Sequence, residues 1–595
     1  MCGICGELRF DGVSPDLTAV ERMSKQLARR GPDHEGSTVH GPLTFGHRRL
    51  AVIDLSANAN QPLVDSALEL SIVFNGTIYN YKELRSELRG LGYSFFTEGD
   101  TEVILKSYHA WGERCVERFY GMFAFAIWEI SNQTLFLARD RFGIKPLYYS
   151  LSGSAIRFAS TVQALLAGGS IDTGIDPVAL HFHVTLHAVV PAPRTLLKGV
   201  RKLPPAVTMK INATGTISQR TYWTLNATRP AQPLSEEEWL EATRTQLTRA
   251  VERHRLAADV PVGVFLSGGL DSSLLVGLLA NQNDDLQTFS IGFENVADRA
   301  AKGDEFEYSD LIAECFKTRH HKYVINNSEV LKRLPEAVMN MSEPMGSHDV
   351  VAFYLLSELV SKHVKVVMSG QGADEIFGGY FWYSRMNEAT GSPSERFSQF
   401  YSGRDHAEYL EMVTPTFHVA DVTSEWVNDE LSKPDADSFL DQVWRMDIST
   451  LMPDSPVRRV DNMPMSWGLE ARVPFLDHEL VELAARMPPS LKLKDGGKFP
   501  LRTIARGLIP DAVIDRPKGY FPLPGLKFMR GEFLELMRDI LRSEACLNRG
   551  LYQRAYVEKL LAEPESHFTA LGANKLWLLA LLEWWLQLSV DSANV

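Results

Sequence analysis

The second residue of the chain is a cysteine, and in that position it can become an N-terminal nucleophile. If Met1 is removed, the α-amine of Cys2 has an ordinary pKa of about 8 and can take the proton of its own thiol. The N-terminal threonine hydrolases use this arrangement, in which one residue supplies both nucleophile and base. Cys2 is therefore a candidate nucleophile for acyl transfer, on the condition that Met1 is removed.

Other polar groups have the chemistry that an amide-hydrolysing cysteine needs. In the run FNGTIYN, Asn75 and Gly76 follow an apolar strand and can direct a side-chain amide and a backbone N–H at a developing oxyanion. Arg49 offers a planar fork for an α-carboxylate, and Asp100 offers a carboxylate for an α-ammonium. Taken singly, each has an ordinary alternative, since an Asn-Gly pair is more often a hairpin turn and single charges are usually solvated.

A second set of candidate residues lies in two glycine-containing loops that follow apolar strands. The run SGGLDSS (267–273) comes between the strand VPVGVFL and an apolar helix, so its N–H groups can bind an anion. It is no Walker A loop, because the GK[ST] ending is absent. The run SGQGADE (369–375) follows the strand HVKVVM. In a parallel sheet, Asp271 and Asp374 could share Mg²⁺, although each alone could be a helix N-cap.

Length and composition exclude several classes of protein. The 595 residues suffice for two or more large domains, and a net charge of −13 disfavours nucleic-acid binding. Five cysteines without a C-x-x-C pair predict neither a disulfide framework nor a structural zinc site, which suits a cytoplasmic protein. The N-terminus lacks a signal-peptide pattern, and the apolar run from Leu576 to Leu588 is too short to span a membrane. We expect no nucleic-acid or membrane partner.

The elements that must position these residues change in type along the chain. Residues 2–210 contain short β-rich runs that predict a largely antiparallel domain with few helices, one of them from Tyr81 to Leu91. Residues 211–234, rich in Thr, Ala and Pro, are predicted to be a linker. A capping box at Ser235 opens a helix that runs to about Ala257. Alternating strands and helices then predict a parallel α/β sheet in residues 235–595, which become mainly helical after about residue 380.

The first set of residues, with the runs RRGPD and ARDRFGIKPLYY, resembles the glutaminase domain of class II glutamine amidotransferases. The resemblance implies an Ntn-type αββα sandwich that hydrolyses glutamine and passes ammonia onward, with Cys2 as nucleophile and Asn75 and Gly76 as oxyanion donors. The implied glutamine-binding residues are Arg49, Leu50, Ala51, Val52, Ile53, Asn75, Gly76, Thr77 and Asp100. Thr77 departs from the NGEIYN pattern of asparagine synthetases. Loss of that Glu predicts glutamine binding weakened about ten- to hundredfold unless another group compensates.

The second set resembles the pyrophosphate loop of ATP pyrophosphatases, which cleave ATP between the α- and β-phosphates to form acyl-adenylates. With WGLEARVPFLD and KFPLR, the match extends to the asparagine synthetase family over nearly the whole chain. It implies a two-domain α/β and α+β protein whose doubly wound C-terminal domain binds ATP and Mg²⁺, with Asp271 and Asp374 as metal ligands. The implied ATP-binding residues are Phe265, Ser267, Gly268, Gly269, Asp271, Ser272, Ser273, Ile291, Ser369, Gly370 and Lys498.

The loop expected near the acceptor carboxylate departs from the asparagine synthetase pattern. Gln371 replaces the Glu of the SGEG loop, and an amide cannot accept a proton from ammonia. Stretches including VVPAPRTLLKGVRKLPPA and MSEPMGSHDVVAFYLLSELV resemble one branch of the family, the N-acetylglutaminylglutamine amidotransferases, which make an osmoprotectant dipeptide amide. The implied acceptor and transfer residues are Gln371, Glu375, Glu343 and His348.

Three functional hypotheses follow. The first is ATP-dependent amidation of the C-terminal carboxylate of N-acetylglutaminylglutamine, with glutamine as donor and AMP and pyrophosphate as products. The second is a glutamine-hydrolysing asparagine synthetase with aspartate as acceptor. The third is an inactive sensor of glutamine or nucleotide, suggested by the two replaced carboxylates. A homodimer is compatible with all three.

Overall fold

The computed structural model describes residues 2–280, 285–293, 306–517, 519 and 524–592. Its N-terminal part is built from twelve strands: β1 (Cys2–Arg9), β2 (His34–His40), β3 (Leu43–Arg49), β4 (Leu63–Asp65), β5 (Leu70–Ile78), β6 (Gly121–Glu129), β7 (Thr134–Arg139), β8 (Tyr148–Leu151), β9 (Ala155–Ala159), β10 (Arg201–Lys202), β11 (Val207–Asn212) and β12 (Ile217–Thr221). They form two six-stranded sheets, in the orders β10-β8-β9-β1-β3-β2 and β12-β11-β7-β6-β5-β4. The strand pairs in both sheets are antiparallel.

Helices cover the outer faces of this sandwich: α1 (Leu17–Gln26), α2 (Tyr81–Gly90), α3 (Asp100–Trp111) and α4 (Val162–Gly168). A further helix, α5 (Pro177–Thr185), packs against helices of the C-terminal part. α1 and α4 pack together outside the first sheet, and α3 packs on β5 of the second. Apolar side chains of both sheets, among them Ile4, Phe45, Val73 and Trp128, form the buried layer between them. The αββα sandwich and the helix expected from Tyr81 are thereby confirmed.

The Asn-Gly pair lies within a strand, so the alternative of a hairpin turn is wrong. β5 continues beyond Asn75 and Gly76 and pairs with β6 as far as Ile78. The neighbouring strand comes so close that a Cβ on Gly76 would lie 2.2 Å from the carbonyl oxygen of Met122. Glycine at this position lets the two strands stay paired.

The second sheet extends into the segment predicted to be a linker. β11 ends at Asn212, and β12 pairs with it as the edge strand of the sheet. Sequence analysis missed this strand because the Thr- and Ser-rich run carries no apolar alternation strong enough to distinguish a solvated edge from a loop. α6 (Glu236–Leu256) begins as predicted, with the Ser235 side chain accepting from Glu238 N and the Glu238 side chain accepting from Ser235 N. The domain limits themselves stay predictions.

The C-terminal part contains a parallel sheet of five strands: β13 (Val262–Phe265), β14 (Gln287–Phe293), β15 (Arg319–Ile325), β16 (Val366–Met368) and β17 (Glu470–Arg472). Their order is β15-β14-β13-β16-β17, with parallel pairing throughout. The predicted α/β class is confirmed. β15 begins with four basic or imidazole side chains and β17 has three residues, so neither was predicted as a strand.

Helices surround this sheet and continue to the C-terminus, which confirms the helical character expected after residue 380. They are α7 (Leu270–Ala280), α8 (Phe306–Phe316), α9 (Asn327–Met339), α10 (Asp349–Ser361), α11 (Ala373–Phe377), α12 (Phe381–Glu388), α13 (Pro393–Tyr401), α14 (His406–Met412), α15 (Val422–Ser432), α16 (Phe439–Met446), α17 (Met452–Asp454), α18 (Pro456–Met465), α19 (His478–Ala485), α20 (Pro489–Lys492), α21 (Phe499–Ala505), α22 (Asp511–Ile514), α23 (Pro524–Lys527), α24 (Gly531–Arg542), α25 (Glu544–Arg549), α26 (Arg554–Ala562) and α27 (Lys575–Trp585).

The apolar C-terminal run folds as the buried helix α27, as expected. Within the described ranges, no helix has both the length and the apolar character needed to cross a bilayer.

The two parts of the chain meet through buried charges. Asp461 on α18 accepts from Arg30 at 2.9 Å and from Lys145 at 3.1 Å, and both cations belong to the glutaminase-like part. Although burial acts in the opposite direction, Arg30 and Lys145 lower the pKa of Asp461. A second group joins Lys202 of β10 to Glu343 and Asp454. These ion pairs fix α18 against the antiparallel sandwich.

We expect Asp461→Asn to lower the free energy of unfolding by about 3 to 5 kcal/mol, because it leaves two buried cations without a counter-charge. Glu87→Gln removes an exposed partner of Arg118 and should cost less than about 1 kcal/mol. Urea unfolding of both variants, followed by circular dichroism, measures the difference. Equal stabilities would contradict a structural role for the buried group.

Candidate active sites

Cys2 begins the central strand β1 and lies beside Asn75 of β5. The backbone nitrogen of Cys2, the atom that would become the α-amine, donates to Asn75 Oδ1 at 3.1 Å. Met1 lies outside the described residues. Asn75 Nδ2 is buried and has no hydrogen-bond partner among the described atoms. A fixed donor of this kind beside a nucleophile is what an oxyanion needs.

The thiol of Cys2 is buried, with 6% of the residue exposed. Burial raises its pKa, and the neighbouring Arg49 acts in the opposite direction. The thiol form therefore dominates near neutral pH, and formation of the thiolate requires a base. The backbone nitrogen of Cys2 lies close to this thiol because both groups belong to the same residue, which makes it a candidate for that base.

Arg49 pairs with Cys2 across β1 and β3 and organises the loop that follows it. Its guanidinium donates to the Ser56 carbonyl at 2.8 Å and to Asn60 Oδ1 at 2.7 Å. A third bond, from Nη2 to the carbonyl of Ile53 at 3.5 Å, connects the same guanidinium to the predicted glutamine-binding segment 50–53. The N–H of Ala51 is already bound to Asp33 Oδ2 at 2.7 Å.

Asp100 is the first residue of α3 and is 6% exposed. Its Oδ2 accepts from the N–H of Ile78 at 3.0 Å. Burial raises the pKa of Asp100 to about 6, and the nearby carboxylate of Glu470 adds to the rise. A cationic ligand would offset the free-energy cost of burying the ionised carboxylate, which fits a side chain that receives an ammonium group.

Thr77, the residue that replaces Glu in the glutaminase motif, contacts a carboxylate from the other part of the chain. Its Oγ1 donates to Glu470 Oε1 at 3.1 Å. Glu470 belongs to β17 and is fully buried, where it accepts from Arg472 Nε at 2.5 Å. Although burial opposes it, Arg472 lowers the pKa of Glu470 to about 2, so the carboxylate is ionised. The run WGLEARVPFLD contains Glu470, but nothing in that run indicates a contact with Thr77, which lies 393 residues earlier in the chain.

A cavity of about 470 Å³ opens at the carboxyl ends of β13, β14 and β16. The predicted residues that line it are Phe265, Ser267, Gly269, Asp271, Ser272, Ile291, Ser369, Gly370, Gln371, Asp374 and Lys498. Gly268 and Ser273 lie on the same loop and helix without lining it. The two loops touch, since a Cβ on Gly370 would lie 2.9 Å from Cβ of Asp271. In open α/β sheets, ligands usually bind at the carboxyl ends of the strands, which is where these two loops meet.

Lys498 joins the two carboxylates expected to hold Mg²⁺. Its ammonium lies 2.6 Å from Asp271 Oδ2 and 2.9 Å from Asp374 Oδ1. Although burial opposes it, these carboxylates raise the pKa of Lys498. Because both carboxylates reach a single cation, they converge on one point of the cavity, and their hard oxygen atoms fit Mg²⁺.

Gln371 lies on the cavity wall and bonds to an arginine that sequence analysis missed. Gln371 Oε1 accepts from Arg459 Nη2 at 3.1 Å, and Arg459 Nη1 donates to Asp349 Oδ1 at 2.7 Å. Arg459 belongs to α18, and the motif-free run PVRRVDNM gave no signal that this side chain would face the cavity. The guanidinium offers a second fork for a carboxylate ligand.

The other predicted acceptor residues do not line the cavity. Glu343 is buried in ion pairs with Lys202 at 3.0 Å and Arg458 at 3.3 Å. Glu375 accepts from the Tyr380 hydroxyl at 2.7 Å, and burial raises its pKa. His348 precedes α10, and burial lowers its pKa to about 4. In this conformation, Gln371 alone of the four faces the cavity.

Comparison with known proteins matches both parts of the chain. Residues 242–587 match the Asparagine synthase family, and residues 1–223 match the Glutamine amidotransferase domain. The chain belongs to the asparagine synthetase family. Asparagine synthetase 1 of Bacillus subtilis is 31% identical, covering 99% of this chain and 97% of its own length. Asparagine synthetase 3 of the same organism is 31% identical, covering 96% of this chain and 94% of its own length. Amidase chry2 of Gibberella zeae is 28% identical over 84% of each chain.

This member of the asparagine synthetase family is an ATP-dependent glutamine amidotransferase of the ligase class. Its family uses ATP, and the two sites described above correspond to the two matched domains. The individual roles of the site residues are proposals, which the following experiments test.

We expect Asn75→Ala to lower kcat with glutamine by about 100- to 1000-fold, because it removes the donor aimed at the oxyanion. The same variant should retain synthesis from added ammonia, since the cavity at β13 is untouched. Pyrophosphate release with each nitrogen source measures both activities. Equal losses with glutamine and ammonia would contradict the assignment.

We expect kcat/KM for glutamine to fall as the pH is lowered through about 6, the pKa of Asp100. The ionised carboxylate binds the ammonium of glutamine, and protonation removes that charge, so the fall should approach tenfold per pH unit. Asp100→Asn should lack this inflection, and so should ammonia-dependent synthesis at a constant concentration of NH₃. An unchanged inflection in Asp100→Asn would exclude this carboxylate as its source.

Proposed function

We propose that this enzyme amidates the C-terminal carboxylate of an N-acylated dipeptide, N-acetylglutaminylglutamine, with ammonia from glutamine. The proposal divides into glutamine hydrolysis at Cys2, acyl-adenylate formation in the cavity, and capture of the adenylate by ammonia. The observation that supports it is the contact between Gln371 and Arg459 on the wall of the cavity.

In the first reaction, the sulfur of Cys2 attacks the carboxamide carbon of glutamine, and ammonia leaves. Once Met1 is removed, the Cys2 amine takes the thiol proton and returns it to the leaving group. Asn75 Nδ2 and the N–H of Gly76 receive the oxyanion, and water then releases glutamate from the thioester. Arg49 and Asp100 bind the two charged groups of the glutamine backbone. Glu470 supplies, through Thr77, the carboxylate that the NGT motif lacks.

In the second reaction, the acceptor carboxylate attacks the α-phosphorus of ATP and pyrophosphate leaves. The N–H groups of Gly268 and Leu270 bind phosphate at the start of α7, while those of Ser267 and Gly269 donate to side chains within the loop. Phe265 and Ile291 flank the adenine. Lys498 stabilises the charge that develops on the phosphate. Asp271 and Asp374 would hold Mg²⁺, which neutralises the triphosphate when bound.

The charges around the cavity favour an acceptor without a free α-ammonium. Three carboxylates line its described wall, and each is already paired with a cation: Asp271 and Asp374 with Lys498, and Asp349 with Arg459. Aspartate would need a further carboxylate for its ammonium, whereas an N-acylated peptide presents one carboxylate and neutral amides. Arg459 can bind the acceptor carboxylate through Nη2, in exchange for its bond to Gln371 Oε1, while Nη1 keeps Asp349. The released amide of Gln371 can then bind the amides of the peptide.

Aspartate is the second candidate, because relatives that match nearly the whole chain are named asparagine synthetases. With that acceptor, the missing proton acceptor at position 371 would have to be replaced by another group. The homodimer and the cytoplasmic location stay predictions from the sequence.

We expect AMP release with glutamine, ATP and Mg²⁺ to favour N-acetylglutaminylglutamine over aspartate by at least about 100-fold in kcat/KM, because mispaired buried charges are costly. Gln371→Glu should give Arg459 a second carboxylate, beside Asp349, that competes with the carboxylate of the dipeptide and raises its KM by about 10- to 100-fold. Gln399→Glu, an exposed change of the same charge on α13, is the control. A preference for aspartate would establish the second candidate instead.

A further inference from the structure

A histidine-rich cluster lies away from both active sites, where the two parts of the chain meet. It consists of His181 on α5, His406 at the start of α14, and Asp421 immediately before α15. α5 falls in the segment that matches the glutamine amidotransferase domain, and α14 and α15 fall in the segment that matches the synthase. From these contacts we infer a binding site for one Zn²⁺ ion that joins the two domains.

The spacing of the three side chains suits a tetrahedral metal. His181 Nε2 lies 3.1 Å from His406 Nδ1 and 3.9 Å from Asp421 Oδ1. All three ligand atoms lie within 4.8 Å of one another. Two ligands about 2.0 to 2.1 Å from a tetrahedral zinc ion are about 3.3 Å apart, so the observed distances require only small side-chain movements.

A chain of hydrogen bonds fixes which nitrogen of His181 carries its proton. The Thr185 hydroxyl donates its one proton to the carbonyl of His181 at 2.8 Å. Thr423 must therefore be the donor in its 2.7 Å contact with Thr185. Having no proton left, Thr423 can only accept from His181 Nδ1, which lies 2.8 Å away. Neutral His181 is thus protonated on Nδ1, and its bare Nε2 faces His406 and Asp421.

This arrangement is the one that metal-binding histidines use. A ligating imidazole ordinarily donates its second N–H to an oxygen atom, which fixes both the tautomer and the ring orientation. His181 is fully buried, and the Tyr409 ring packs against it with centroids 4.6 Å apart. Its Nε2 is therefore held in place before any ion binds, which reduces the conformational entropy that the side chain loses on binding.

The ligand types select the ion. Two imidazole nitrogens and one carboxylate suit Zn²⁺ and similar transition metals, whereas Mg²⁺ and Ca²⁺ prefer oxygen ligands. Asp421 and His406 are partly exposed, so an ion and a water molecule that completes the coordination can reach the site. Because the ligands come from both domains, bound zinc would stabilise their contact.

Titration of the metal-free full-length protein with Zn²⁺, with Mg²⁺ present throughout to fill oxygen-ligand sites, tests the inference. Competition with a chromophoric chelator should reveal one equivalent of bound zinc per chain. Co²⁺ should bind in its place with the intense visible absorption of a tetrahedral complex. Zinc should also raise the thermal midpoint of the wild-type protein.

Three variants locate the site and test its second shell. His406→Gln and Asp421→Asn should each weaken zinc binding by at least about 100-fold, and Asn at 421 can still cap α15. Thr423→Val should weaken binding by about 10- to 100-fold, because it removes the acceptor for His181 Nδ1. His418→Ala changes a nearby histidine outside the cluster and should bind zinc like the wild type.

Two results would overturn the inference. One is the absence of stoichiometric zinc binding by the folded wild-type protein, which would make the cluster a hydrogen-bond network only. The other is equal zinc affinity in the wild type and in either ligand variant, provided that circular dichroism shows both variants folded. Neither readout depends on catalytic activity or on the identity of the acceptor.

Discussion

The buried carboxylate of Asp461 is the constraint on which the two-site architecture depends. A charge in a protein interior is tolerated only when opposite charges meet it with good geometry. Its partners, Arg30 and Lys145, come from the antiparallel sandwich, while Asp461 belongs to the helical layer beside the parallel sheet. Neither part can satisfy these charges alone, so the interface has a defined register.

This register connects the two reaction sites through one helix. Arg30 also donates to the carbonyl of Cys2 at 3.3 Å, so the residue that holds Asp461 contacts the backbone of Cys2. Two residues before Asp461, Arg459 reaches the wall of the cavity and bonds to Gln371. α18 therefore places the cation Arg459 at the cavity wall and the anion Asp461 against the arginine beside Cys2, which gives the two candidate sites a common rigid support.

The sequence predicted best what is local in the chain. Cys2, the Asn-Gly pair and the two glycine-containing loops each carry their chemistry within a few residues, and the strands that position them are apolar enough to recognise. The expected convergence of Asp271 and Asp374 followed from parallel-sheet topology, and both now contact Lys498. In contrast, Glu470 contacts a residue 393 positions away and Arg459 contacts one 88 positions away, and β12 lies at a solvated edge. Long-range pairing of charges leaves no periodic pattern, so sequence reasoning placed Glu343 at the acceptor when it is buried among cations.

The contact between Thr77 and Glu470 links the identity of one residue in the glutaminase half of this chain to that of one residue in the synthetase half. A glutaminase half with Glu at position 77, joined to this synthetase half, would bring two carboxylates together in a space where the hydroxyl of threonine now serves as donor. Like charges enclosed without water repel strongly. In this chain, position 77 and Glu470 are therefore a matched donor and acceptor, and a change of charge at one alters the surroundings of the other.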